Sequence, residues 1–368
     1  TLPQKKCDCG CEEFIPEKAV MDTWATSAVT PLINRKFGEP NEKSFLQPMS
    51  MRCHAHEIIR TWTFYTIVKH LYHIGDIPWE NLMISGFVLA KSGEKISKSK
   101  NNAAFSPTEL LKNYGADMIR YWSASNKLGT DTFFDIKELD ISKRFLTKLW
   151  NFAKFTELQL QDFSPENVET YEPIDLWILS RCHETFEKYS NAMEDYEIGL
   201  ARQEIDNFFW KDLCDYYLEI VKERLYNKDN KFSPAAQKSA QHTLFNVALE
   251  VLKMYSPFVP HITEFIFQEV FAQKTAIKFL STATFGTLPY EAQNLKFGEF
   301  VKMVIGEVRK FKTEKNFSMK EALDALKIST SRENLSLLEK SAEDIKSCTH
   351  AAVLTLVEDE DNVVIEKR

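Results

Sequence analysis

Residues 88 to 107, "VLAKSGEKISKSKNNAAFSP", set Lys91, Lys95, Lys98 and Lys100 around a turn rich in serine, glycine and asparagine. By composition the stretch is a solvated surface loop, since these are the residues any exposed connection uses. Its flanks add a second reading. Upstream, "NLMISGFVLA" is a short apolar run that predicts a buried strand. Downstream, Ser106-Pro107-Thr108-Glu109 reads as a capping box with proline at the first helical position, so a helix begins there. The lysines then lie on a strand-to-helix loop, where α/β folds gather anion-binding groups at the carboxyl ends of strands. Lys95 and Lys98 could neutralise a polyphosphate whose charge grows during displacement.

A chain of 368 residues has room for two or three domains with real cores, and 44% hydrophobic with 12% aromatic residues is a globular composition. No run of about eighteen apolar residues occurs, so no membrane span is expected. No signal peptide is visible, and the first residue is threonine rather than methionine, which reads as part of a longer chain. Seven cysteines without regular spacing suggest reduced thiols and a cytoplasmic setting. The net charge of −7 argues against a generally basic coat, so a polyanion partner must meet local patches.

The chain divides by texture. Residues 1 to about 136 mix short apolar strands, loops and helices, as in "MISGFVLA" followed by "TELLKNYGADMIRYWSAS", which reads as α/β. Residues 137–272 are expected to form an all-helical bundle, with Leu200, Ile205, Phe208, Phe209, Leu213, Tyr216, Tyr217, Ile220 and Val221 at helical spacing. Residues 273–368 open on a loop-rich connection and continue as an amphipathic helix through Phe297, Phe300, Val301, Val304, Ile305, Val308 and Phe311. Strand candidates "ALKIST" and "AAVLTLVE" flank another helix, so the tail reads as a small α/β domain.

Several motifs then line up in one order. Lys95-Ile96-Ser97-Lys98-Ser99 resembles the KMSKS signature of class I aminoacyl-tRNA synthetases, with Ile in place of Met. "YGADMIRYW", "PIDLWILSR", "FFWKDLCDYYLEIVKERLY" and "YSPFVPHITEFIF" resemble the post-loop helix and the anticodon-binding bundle of the Val/Ile/Leu/Met subgroup. Within the subgroup, "MDTWATSAVTP" and "AHEIIRTWTFYTI" are similar to the valyl enzymes, particularly their archaeal-type branch. The implied fold is the second half of a Rossmann-type catalytic domain followed by a class Ia anticodon-binding bundle and the α/β tail. The HIGH element and the editing domain of the family are not found in the sequence. His73-Ile74-Gly75-Asp76 only superficially matches HIGH and reads instead as a helix C-terminus capped by Gly75.

The resemblance assigns roles. Lys95 and Lys98 become catalytic, and Lys95, Ser97, Lys98, Ser99, Glu57, Ser85 and Gly86 become the ATP-binding set, with Mg2+ accompanying ATP. Glu57 stands where many relatives have Asp, a carboxylate associated with the ribose hydroxyls. Asn101 stands where the family generally has Gly, and Asn tolerates positive φ. Trp24, Ile58 and Trp62 would wall a pocket for a small branched side chain, Ile58 and Trp62 being four apart on an expected helix; the same residues also suit a core. Such walls discriminate by only about 1–3 kcal/mol. Cys7, Cys9 and Cys11 offer soft ligands for a structural zinc, which needs a fourth. Cys53, Cys182, Cys214 and Cys348 read as packed thiols.

For tRNA, the expected contacts are Arg202, Phe209, Trp210, Lys211, Lys222 and Arg224, where rings lie beside cations as unstacked bases require. Arg309, Lys310, Lys312 and Lys315 offer a second, phosphate-binding run. The same aromatics could equally be core and the same cations could pair with Asp206, Asp212 or Glu223. The function implied is a valine–tRNA ligase, a cytoplasmic monomer using valine, ATP and tRNA. The alternatives are an isoleucyl enzyme and a tRNA-binding fragment or paralogue that makes no adenylate.

Overall fold

The computed structural model describes residues 6–20, 22–37, 48–90, 94, 96, 106–165, 168 and 170–367. The chain falls into two units, Thr1–Phe87 with Leu128–Asp131, and Val88–Lys127 with Thr132–Arg368.

In the first unit, α1 (Thr23–Ser27) starts at Asp22, whose carboxylate accepts the Trp24 N–H at 3.1 Å, and α2 (Thr30–Phe37) follows. Strand β1 (Met49–Ala55) leads through two short irregular turns, His56–Ile58 and Ile59–Thr63, into α3 (Phe64–Ile74) and then β2 (Trp79–Ser85). The two strands pair in parallel from Met49↔Trp79 to Ala55↔Ser85, so the helix between them is a crossover connection. Gly75 ends α3 at φ 82° with its N–H on the Leu71 carbonyl, the left-handed stop read from the sequence. The apolar run at 81–90 is not one buried strand. Strand β2 stops at Ser85 and is exposed or half-buried over Glu80–Ser85.

The second unit opens with β3 (Val88–Leu89), then α4 (Pro107–Tyr114) and α5 (Ala116–Ser123), and β4 (Thr132–Phe133) pairs in parallel with β3. The capping box is present: Ser106 Oγ accepts the Glu109 N–H and the Glu109 carboxylate accepts the Ser106 N–H. Helices follow: α6 (Glu138–Gln159), α7 (Pro173–Glu194), α8 (Ile198–Asn207), a wide π segment Phe208–Tyr217, α9 (Leu218–Tyr226), α10 (Pro234–Tyr255) and α11 (Pro260–Val270). Proline at the first turn of α7, α10 and α11 costs no hydrogen bond there. The π segment widens the turn, and the expected apolar stripe departs from a regular helical face. Ile205, Phe208, Phe209, Leu213, Tyr217, Ile220 and Val221 are buried, while Leu200 is exposed and Tyr216 only half-buried.

Helix α12 (Ala292–Glu314) lies on α7 at Gly298, where a Cβ would come within 1.9 Å of the buried Trp177 ring; only glycine allows that approach. The tail is β5 (Leu323–Thr330), α13 (Arg332–Lys340), α14 (Ala342–Thr349), β6 (Ala351–Glu358) and β7 (Asn362–Glu366). Its sheet has the order β6-β5-β7, parallel and then antiparallel. The sequence reading missed β7 and counted two helices as one. One apolar core runs from the bundle through α12 into β5 and α14. No helix among the described residues is long and apolar enough to cross a membrane.

Candidate functional site

The carboxyl ends of β1 and β2 lie side by side at Ala55 and Ser85. Ligands of open α/β sheets bind outside such ends. Directly after β1 come His56 and Glu57, both exposed, and directly after β2 come Gly86 and Phe87. Asp131 ties the two ends together. Its Oδ1 accepts the Phe87 N–H at 2.7 Å and lies 3.1 Å from His56 Nε2. The Phe87 N–H, and then His56, hold this carboxyl below the ordinary aspartate range. The Phe87 ring meets the imidazole edge-on, 4.7 Å between centroids. A Cβ on Gly86 would fall 2.1 Å from the Thr130 carbonyl oxygen, so the close passage of backbone requires glycine.

Three residues expected at a nucleotide site, Glu57, Ser85 and Gly86, are thus collected at one end of one sheet. His56 and Asp131 were missed by sequence reasoning. Nothing local joins them across 75 positions, and the only signal was an acid set in the turn-forming "LGTDT".

The residues expected to wall a pocket are packed to different degrees. Trp62 is 5% exposed and packed from several sides, stacked on Trp79 at 5.3 Å and 8° with the Arg52 guanidinium 4.4 Å from its ring. Its Nε1 donates to the Ser27 carbonyl at 3.0 Å. Ile58 closes a 3-10 turn and Trp62 lies in the π turn that follows, so the two do not share a regular α-helical face. Ile58 and Trp24 are half-buried. The irregular backbone turns the indole inward onto the sheet, where it packs on Trp79.

Lys95, Ser97, Lys98 and Ser99 lie outside the described residues, as do Lys91, Lys100 and Asn101. Their flanks are described: Ala90 N–H donates to the Glu94 carbonyl at 2.8 Å, and the capping box closes the far side.

The expected tRNA residues separate into interior and surface. Arg224 is 1% exposed and bonded to Asp175 and Asp344, and Phe209 is wholly buried against Phe145, Phe152 and Tyr255. Lys312 is 1% exposed, its ammonium donating to the Met319 and Thr349 carbonyls. Arg202 pairs with Asp206 at 3.1 Å and lies over the Tyr121 ring at 4.4 Å, while Tyr121 and Tyr255 both donate to Asp206. Burial raises the Asp206 carboxyl, and Arg202 pulls against it. Each of these four is engaged with partners inside the chain, because helical spacing brought it to a face that carried them. Trp210 is half-buried against the core with Lys148 5.4 Å from its ring.

Lys211, Lys310 and Lys315 are exposed. Lys222, paired with Glu219 at 3.6 Å, and Arg309, donating to the Asp215 carbonyl at 2.7 Å, converge on a cavity of about 650 Å³. Glu219, Glu223 and His350 also line it, so cations for phosphate and acceptors for base N–H groups share one wall.

The cysteine turn is tight. Cys7 N–H donates to the Cys11 carbonyl at 2.8 Å and Gly10 N–H to the Cys7 carbonyl at 2.7 Å, with Gly10 at φ 89°. A hydrogen bond from the Cys11 backbone lowers the Cys9 thiol. Three thiols leave a tetrahedral zinc one ligand short. Among the described residues no group of three or more His, Cys, Asp or Glu side chains is arranged to hold a metal. Of the other thiols, Cys182 and Cys214 are buried and Cys348 half-buried, but Cys53 is exposed on β1, contrary to expectation.

Two family models match. That of the class I tRNA synthetases (I, L, M and V) covers residues 3–135, and that of the anticodon-binding domain of tRNA ligase covers 175–327. A valine–tRNA ligase of Rickettsia canadensis is 41% identical over 356 residues, 92% of this chain and 43% of that protein. One from the Wolbachia of Brugia malayi is 36% identical over 350 residues, 93% of this chain and 41% of that protein. The chain therefore spans about two fifths of the length of these relatives. Among solved structures, a leucyl synthetase of Agrobacterium radiobacter K84, in complex with tRNA, has a TM-score of 0.57 at 19% identity, covering 79% of this chain and 35% of that one. Methionyl-tRNA synthetase of Mycobacterium tuberculosis with methionyl-adenylate has a TM-score of 0.56 at 20% identity, covering 73% of this chain and 54% of that one. At such identity the likeness is one of fold.

Proposed function

Because the chain belongs to the class I tRNA synthetases of the Ile, Leu, Met and Val group, we propose that it is the part of a valine–tRNA ligase that carries the lysine loop and the anticodon-binding helices. The observation that carries this reading is 41% identity to a valine–tRNA ligase across 92% of the chain. The archaeal-type character read from "MDTWATSAVTP" is a finer part of the same proposal.

The division of labour follows. Residues 1–136 supply the second half of a Rossmann-type catalytic domain, 137–272 the bundle, and 273–368 the tail. Valine is activated with ATP to an adenylate and passed to the 3′ end of tRNA, steps in which positioning and charge stabilisation do the work. Lys95 and Lys98 neutralise the phosphates, aided by Ser97 and Ser99. Glu57, Ser85 and Gly86 receive the nucleotide at the strand ends, where their placement supports the role. Trp24 and Ile58 border the amino acid, with Trp62 behind them as packing. Mg2+ arrives with ATP, supplying charge neutralisation. On the tRNA side the surface set is Trp210, Lys211, Lys222, Arg309, Lys310 and Lys315. The same reading carries a monomer in the cytoplasm.

Charging assays test it. A full-length enzyme carrying this chain should load labelled valine, and not isoleucine, onto its cognate tRNA. Preferential isoleucine loading would make it an isoleucyl enzyme, and tRNA binding without either product would make it a binding paralogue.

A further inference from the structure

His56 has no role in the reading above. Its Nε2 faces the Asp131 carboxylate at 3.1 Å, and its side chain is 41% exposed. A carboxylate only accepts, so in the neutral imidazole the proton sits on Nε2 and Nδ1 is left as a lone-pair acceptor. Nδ1 has no protein partner among the described residues. The ring cannot swing freely, because Asp131 is itself held by the Phe87 N–H and the Phe87 ring abuts the imidazole. The result is an oriented, half-exposed acceptor directly beyond the carboxyl end of β1, and the next residue in the chain, Glu57, is exposed.

We propose that His56, set by Asp131, is a nucleotide-binding residue whose Nδ1 accepts a hydrogen bond from a ribose hydroxyl of ATP. A ribose hydroxyl is an O–H donor of the kind Nδ1 accepts, and Glu57, expected at the same nucleotide, follows His56 at this strand end. Asp131 is a positioning residue that acts through the imidazole. The inference rests on the reading of an ATP-dependent ligase.

Two amide replacements separate the ring nitrogens. The Asn oxygen takes the place of Nδ1, whereas Gln reaches only to the place of Nε2. In valine-dependent ATP–pyrophosphate exchange by the full-length enzyme, His56→Gln should raise the KM for ATP about tenfold, the scale of one unmade hydrogen bond, with KM for valine unchanged. His56→Asn should retain most of the wild-type KM for ATP. Asp131→Asn, which lets the other tautomer form, should match His56→Gln, and the double variant Asp131→Asn/His56→Gln should be no worse than either. With one of 2′-deoxy-ATP or 3′-deoxy-ATP the penalty of His56→Gln should vanish.

A merely structural tie predicts the reverse, His56→Gln retaining activity and His56→Asn losing it, and that result would overturn the proposal. So would an undiminished penalty with both deoxy analogues. Should the wild type show no valine-dependent exchange, the ligase reading falls separately. Thermal protection of the wild type and His56→Gln by ATP and its two deoxy analogues then reads the ribose contact alone.

Discussion

Arg224 and Asp175 form a two-pronged ion pair sealed inside the helical bundle. Nη1 lies 2.7 Å from Oδ2 and Nη2 3.0 Å from Oδ1, with both side chains at most 1% exposed. Tyr217 and Ser239 also donate to Asp175, and Asp344 of α14 receives Nε at 3.1 Å, so one guanidinium joins the bundle to the tail. A residue whose sequence position suggested tRNA contact is a structural rivet. Arg224→Ala strands buried carboxylate charge and should cost about 3–5 kcal/mol of stability. Denaturant unfolding of the chain measures it. A loss of tRNA affinity with stability unchanged would return Arg224 to the surface.

Asp344 gives the pair a pH signature. Burial pushes its carboxyl up to about 7, while Arg224 pulls against the shift. The folded pKa lies above the unfolded one, so between roughly pH 4 and 7 the folded chain holds a proton that the unfolded chain has released. Stability from this group therefore falls as pH rises across that window and levels off above it. Asp344→Asn should flatten the dependence by at most about 1.4 kcal/mol per pH unit. Unfolding curves at about pH 5 and about pH 7.5 should converge in the variant; an unaltered slope would show that another group titrates.

Asp117 caps a helix from outside it. Its Oδ2 accepts the Ile262 N–H at 2.7 Å and its Oδ1 the His261 N–H at 3.3 Å, at the open first turn of α11. Asp117→Ala should cost about 1–2 kcal/mol, and Asp117→Asn less. Equal stability of Ala and wild type in a thermal melt would remove the cap from the account.

How much of this the sequence discloses depends on the range of the interaction. The capping box at Ser106–Glu109 and the Gly75 stop were legible because each is closed within a few residues by backbone geometry. Arg224 was not, because its partners Asp175 and Asp344 lie 49 and 120 positions away. A cation at helical spacing looks the same whether it meets water or a buried acid. Asp131 escaped notice for the same reason. The π segment at Phe208–Tyr217 shifts the phase of the stripe by an amount no fixed period anticipates, and Tyr216 within it is only half-buried.

Gly86→Ala should be far more damaging than an ordinary loop substitution, since the new methyl would meet the Thr130 carbonyl at 2.1 Å. The expected cost is about 2–3 kcal/mol or loss of the β2 strand end. Hydrogen exchange over residues 82–87 would register it. Protection equal to wild type would show that the backbone yields cheaply.

Trp62→Ala should open a cavity and cost about 3–5 kcal/mol, whereas Trp62→Phe should keep most of the stability. Calorimetry of the first unit's transition distinguishes this from a pocket role, in which discrimination between valine and larger amino acids would change in a variant of wild-type stability.

The central claim meets its most direct test at the lysine loop. In valine-dependent ATP–pyrophosphate exchange by a full-length enzyme carrying this chain, Lys95→Ala and Lys98→Ala should each lower the rate on the order of a hundredfold while barely moving the KM for valine, as the role proposed for them against charge developing on the phosphates requires. Undiminished exchange in both variants, or a wild type that turns over isoleucine in preference to valine, would contradict the account.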